Sequence, residues 1–162
     1  GPVAPIWEIS LEKWKETIDI NLTGTWLCCR EVIKIMKEKN SGRIVNIGSI
    51  SGKRPLINRT PYCSTKMALV GLTRTLAVEA AAFNINVNNI SPGGVMSPRL
   101  EELAKAQGIT LEELAAQAAS WSPLKRLSTG LDIARVALFL CLEDSRNMTG
   151  QDINVSAGVV MY

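Results

Sequence analysis

The chain has 162 residues, 46% of them hydrophobic and 20% charged, and a formal net charge of +3. That size and apolar content suit one core-bearing domain, and so mild a charge, with no long lysine/arginine run, excludes a nucleic-acid footprint. Histidine is absent, which removes Ser-His-Asp and Cys-His catalysis and the usual zinc sites; any chemistry must use tyrosine, lysine, serine or carboxylates.

Ser10 is placed to cap a helix whose apolar residues Leu11, Trp14, Ile18, Leu22, Trp26, Cys29, Ile33 and Met36 recur at spacings of three and four. Gly24 is the candidate interruption, and Asn40-Ser41-Gly42 reads as the helix end. Arg43 to Ile47 reads as a short buried strand, followed by a loop to Thr60. Thr60 and Pro61 then form an N-cap and N1 pair for a helix reaching about Phe83. Ile85 to Ile90 is the next strand, with asparagines interleaved, and Pro92-Gly93-Gly94 breaks it.

Leu100 to Gln107 reads as a helix. Thr110-Leu111-Glu112-Glu113 is a capping box for a second helix through Ala119, stopped by Ser122-Pro123. Leu131 to Leu142 is a further helix, Thr149-Gly150 a turn, and Gln151 to Val155 a last strand. Strands alternating with helices predict an α/β fold with a parallel sheet covered on both faces.

The most apolar window, Met67 to Phe83, carries Arg74 and Glu79, too polar for a membrane span. The four cysteines form no C-x-x-C and imply reduced, buried thiols in a cytoplasmic protein.

The chemistry-bearing stretch is Tyr62-Cys63-Ser64-Thr65-Lys66. On a helix Tyr62 and Lys66 are i and i+4 neighbours, which sets an ammonium beside a phenol of ordinary pKa about 10 and favours its phenolate. Ser49 lies thirteen residues before Tyr62, just past a strand. In open α/β sheets that end of a strand is where ligands bind. Asn21 lies in Asn21-Leu22-Thr23-Gly24, and Asn89-Ile90-Ser91-Pro92-Gly93, with Val95 and Ser97 beyond, follows the next strand.

In this order and spacing the set resembles the classical short-chain dehydrogenase/reductases, over essentially the whole chain. The resemblance implies a Rossmann-type doubly wound parallel sheet in a three-layer αβα domain. It implies an oxidoreductase interconverting an alcohol and a carbonyl with NAD or NADP. Tyr62 would be the acid/base, Lys66 would lower its pKa and hold the nicotinamide ribose, and Ser49 would orient the substrate. Asn21 would sit at a helix kink and hold a water linked to the lysine. Pro92, Gly93, Val95 and Ser97 would hold the nicotinamide carboxamide.

Two departures stand out: Gly48 occupies a position where a second serine is common, which should matter little, and Asn154-Val155-Ser156-Ala157-Gly158 stands where many members have Val-Asp-Gly-Gly. No glycine-rich dinucleotide turn occurs in the chain, which therefore reads as the C-terminal part of a single longer domain, residues 1–162. An inactive fragment acting as an oligomerising module is the alternative. Lys53, Arg54, Arg59, Arg99, Lys125 and Arg126 suggest an anionic small-molecule substrate, and Thr149 to Val155 with Pro123 to Arg126 resemble sugar- and polyol-oxidising members, which implies a sugar or polyol derivative. A homodimer or homotetramer is expected, with Trp14, Trp26, Ala77 and Ala81 as candidate helix–helix contacts.

Overall fold

Ser10 opens the first helix by accepting the Lys13 N–H at 3.2 Å, satisfying one of the donors a helix start leaves free. In this computed structural model, which describes residues 1–162 (residue 106 by its backbone alone), the helix does not run unbroken to Lys39. Helix α1 spans Leu11–Ile18, a π-helical turn takes Asp19–Thr23, and α2 spans Gly24–Lys39. The irregularity therefore lies just before Gly24, centred on Asn21. The end of α2 is as expected: Asn40 adopts the left-handed conformation, φ 48°.

Strands β1 (Gly42–Ile47), β2 (Ile85–Pro92) and β3 (Asp152–Val155) form a parallel sheet in that order, with Ile44 facing Val87 and Ile90 facing Ile153. Helix α3 (Thr60–Ala80) connects β1 to β2. Helices α4 (Pro98–Gln107), α5 (Leu111–Ser120) and α6 (Gly130–Cys141) lie between β2 and β3. Cys29, Ile44, Ala77, Ala80, Ile85 and Val87 form the core between the sheet and α2 and α3. Helix α6 packs on β1 and β2 from the other side and buries Leu140. This is the expected Rossmann-type layering.

Three expectations need correction. Arg59, not Thr60, is the N-cap of α3, and no side chain caps this end. With Arg59 as the cap, Pro61 is the second residue of the helix and has no N–H, so one of the donors a capping side chain would serve is missing. Ile47 is half exposed because β1 pairs only with β2 and is an edge strand. Ala77, a candidate intermolecular contact, is buried in the chain's own core, whereas Trp26 and Ala81 remain exposed.

The asparagines of β2 have a clear role. Asn86 donates to the carbonyls of Arg146 and Met148, and Asn88 donates to Met148 and accepts from the Gln151 N–H. They supply the partners that the irregular segment before β3 would otherwise take from water. The capping box at Thr110 and Glu113 is present, and a second, Thr129 with Asp132, starts α6 one residue before Leu131. Among the described residues no helix is long and apolar enough to cross a membrane, and all four cysteines are free thiols, Cys28 and Cys141 exposed rather than buried.

Candidate active site

The end of β1 brings the chemistry together. The Gly48 N–H donates to the Ile90 carbonyl at 2.7 Å, carrying the chain across the tip of β2. A Cβ on Gly48 would lie 2.5 Å from Asn89 Nδ2, so no side chain fits without moving Asn89. A serine side chain at this position would have to displace that buried asparagine. Ser49 follows in extended conformation and caps the short 3-10 turn Ile50–Gly52: its Oγ accepts the Ser51 N–H and donates to Ser51 Oγ, each at 3.1 Å.

That turn lies directly on α3. A Cβ on Gly52 would stand 2.7 Å from the Met67 nitrogen and 3.0 Å from the Lys66 carbonyl carbon. Glycine is what permits the approach. Lys66 closes the contact from the other side, its Nζ donating to the Ile47 carbonyl at 3.0 Å. One of three ammonium donors is used this way, which leaves two for a ligand. Burial holds Lys66 below the ordinary lysine range.

Tyr62 sits in the first turn of α3, half-buried, with Lys66 Nζ 5.8 Å from its ring centroid. The Arg59 guanidinium lies over the same ring at 4.8 Å, a cation–π contact. Arg59 Nε is buried with no acceptor among the described residues.

Asn21, in the π-helical turn, reaches α3 as well. Its Nδ2 donates to Thr65 Oγ1 at 3.2 Å, and Thr65 Oγ1 donates to the Tyr62 carbonyl at 2.8 Å. Thr65 is fully buried, while Asn21 is half-buried at the other end of this chain. The Thr25 hydroxyl donates to the Asn21 carbonyl at 2.9 Å, tying the irregular turn to the start of α2.

The segment after β2 is held separately. Gly93 N–H donates to the Val155 carbonyl, and a Cβ on Gly93 would meet Ser156 at 2.8 Å. Val95 bridges to Ser128, and Ser97 caps α4 without spending its hydroxyl on the helix. Pro92 ends β2. The eight anticipated positions thus fall at the ends of β1 and β2 and on the facing helices.

The loop cations do not behave as a group. Lys53 is not a solvent-facing cation: its Nζ sits 2.8 Å from Asp152 Oδ2 and donates to Asn154 Oδ1 at 2.6 Å, with side-chain exposures of 9% for Lys53 and 3% for Asp152. Arg54 stacks on Trp121, Arg99 pairs with Glu102, and Lys125 donates to the Ser120 carbonyl. Arg59 alone among them touches Tyr62.

Asp152 was not legible in the sequence as part of this region. Its Oδ1 accepts from Asn89 Nδ2 at 2.7 Å and from Ser91 Oγ at 2.6 Å. Burial pushes its carboxyl up, but the hydrogen bonds from Lys53, Ser91 and Asn89 outweigh that and hold it below the ordinary aspartate value. An aspartate facing a strand asparagine across a parallel pair gives no periodic signal.

A family model described as enoyl-(acyl carrier protein) reductase matches residues 2–160. The chain belongs to the short-chain dehydrogenase/reductase family. It is 35% identical over 158 residues to an uncharacterized oxidoreductase, YxbG, of Bacillus subtilis (strain 168), covering 97% of this chain and 58% of that protein. Among solved structures it is similar to sorbitol-6-phosphate 2-dehydrogenase SrlD from Erwinia amylovora, with TM-score 0.90, 36% identity, and 99% of this chain but 65% of that one covered. An NAD⁺-bound xylitol dehydrogenase gives TM-score 0.87 at 31% identity, with coverages of 98% and 64%. The chain thus spans about three fifths of the length of the relatives it matches.

Proposed function

We propose that the protein containing this chain is an NAD(P)-dependent oxidoreductase interconverting a secondary alcohol and a carbonyl, with a polyol or sugar derivative as substrate. The observation that carries the reading is the Lys66–Ile47 hydrogen bond, which fixes the helix bearing Tyr62 against the strand end bearing Ser49. The chain would form the C-terminal part of a single domain, residues 1–162. The substrate class rests on the likeness to the sorbitol-6-phosphate and xylitol dehydrogenases.

In the oxidative direction Tyr62 Oη, as phenolate, takes the proton from the substrate hydroxyl. In reduction it returns that proton to the carbonyl oxygen. Lys66, through its unused donors, would hold the hydroxyls of a nicotinamide ribose beside Tyr62. Ser49 Oγ turns toward the substrate oxygen and orients it. Asn21 steadies the first turn of α3 through Thr65. Pro92, Gly93, Val95 and Ser97 would hold the carboxamide, for which the free Ser97 hydroxyl is suited. The nicotinamide, when bound, supplies the hydride chemistry.

Association through α2 and α3, as a homodimer or homotetramer, is supported by their exposed Trp26, Ile35 and Val78. The choice between NAD and NADP rests on a residue in the second βα unit of such folds, outside the matched region. A nicotinamide-absorbance assay of the full-length protein with xylitol, sorbitol 6-phosphate and apolar ketones, under each cofactor, tests the reading. Turnover of a polyol is expected. Turnover confined to the apolar ketones would sink the substrate class.

A further inference from the structure

The 3-10 turn that carries Ser49 is gripped from two sides. On one side Gly52 rests on the α3 backbone at Lys66 and Met67. On the other, Lys53 reaches into the sheet and meets Asp152 Oδ2 at 2.8 Å and Asn154 Oδ1 at 2.6 Å. Within the turn itself Gly52 N–H to Ser49 O, Lys53 N–H to Ile50 O, Arg54 N–H to Ile50 O and the Ser51 N–H to Ser49 Oγ cap hold the backbone. Such a short turn has little local stability of its own.

Asp152 has no freedom to follow the turn. Asn89 and Ser91 of β2 both donate to its other oxygen, and Asn89 is in turn packed against Gly48, the residue before Ser49. The network closes a ring: β3 to Lys53, the turn to Ser49, Gly48 to Asn89, and Asn89 back to β3. A buried ion pair is poor value for stability alone, because desolvation cancels much of the attraction, but it specifies one geometry.

We propose that Lys53 and Asp152 are positioning residues that hold the Ser49 hydroxyl in register with Tyr62. The proposal rests on the reading of Ser49 as the substrate-orienting hydroxyl. Removing the tether takes away the turn's anchor on β3 and leaves Gly52 on α3, Gly48 at the tip of β2 and the Arg54–Trp121 stack at its ends, with less to fix the Ser49 hydroxyl between them.

Two measurements test it on the full-length protein. The first is hydrogen exchange, which needs no substrate. Asp152→Asn should speed exchange at the Ser51, Gly52, Lys53 and Arg54 amides at least about tenfold while leaving the β2 and α3 amides unchanged. Uniform loosening, or none, overturns the proposal. The second is a mutant cycle in kcat with Ser49→Ala, using xylitol or sorbitol 6-phosphate, whichever is turned over. Asp152→Asn alone should lower kcat about tenfold to a hundredfold. In the Ser49→Ala background it should cost less than about twofold more, since the positioned group is gone. Equal losses in both backgrounds overturn the proposal, as does an unchanged kcat for Asp152→Asn. If Ser49→Ala itself leaves kcat intact, the role of Ser49 fails first, and the positioning role falls with it. Lys53→Met replaces Asp152→Asn in both measurements should the latter not fold, with the same outcomes expected.

Discussion

Lys66 Nζ donates to the carbonyl of Ile47 at 3.0 Å, so the base of the proposed acid/base helix is bolted to the strand end two residues before Ser49. One ammonium thereby joins the two elements whose relative position the chemistry needs. Its other donors stay available to a phenol and a ribose.

Lys66→Met should therefore reduce turnover and cofactor affinity together, each by at least about tenfold, because the same group serves both. Steady-state kinetics with cofactor titration checks this. A variant that lost turnover yet kept full cofactor affinity would separate the two roles and contradict the shared-donor reading.

Ala157 adopts φ 52°, a left-handed conformation that costs a residue with a Cβ about 1 kcal/mol, and it stands where many family members have glycine. Ala157→Gly should stabilise the fold by about 0.5–1 kcal/mol in urea unfolding. A destabilised variant would show that the alanine methyl is making a packing contribution larger than its backbone strain.

The buried carboxylate predicts an acid response. Asp152 is held below its ordinary value, so its contribution to stability is present above the unfolded-state pKa of about 3.9 and is lost as pH falls through the depressed folded value. In Asp152→Asn that portion of the acid-side slope should vanish. Unfolding free energies measured from neutral pH down to the acid limb, with slopes as steep as in the parent protein, would contradict the depressed value.

Much of this was readable in the residues. Helix periodicity, the Asn40 end, the Thr110 capping box and the Tyr62–Lys66 pair each leave a local pattern, and each lies where expected. What was not readable was long-range or irregular. The π-helical turn shifts the periodicity by one residue, too little to separate from a glycine kink. Lys53 looked like a loop cation because its partner is 99 positions away (152 − 53), on a strand that only folding brings near. Gly48 looked tolerant because nothing local announces that Asn89 lies above it.

The isolated 162 residues carry an edge strand and exposed apolar helix faces, so they should associate rather than remain monomeric, and should bind NAD(P) too weakly for calorimetry. Sedimentation giving a stable monomer would contradict the first expectation. Micromolar NAD(P) affinity would contradict the second, which rests on the chain's lack of a glycine-rich phosphate turn.

The central claim is that Tyr62 moves the proton, and replacing its hydroxyl tests it most directly. Tyr62→Phe in the full-length protein keeps the ring on which Arg59 stacks and the backbone carbonyl that accepts from Thr65. Cofactor affinity and unfolding temperature should therefore stay near those of the parent, while kcat for alcohol oxidation falls about 10²–10⁴-fold. A variant with intact folding and a kcat within about twofold of the parent would show that the proton leaves by another group, and the assignment of this site would be wrong.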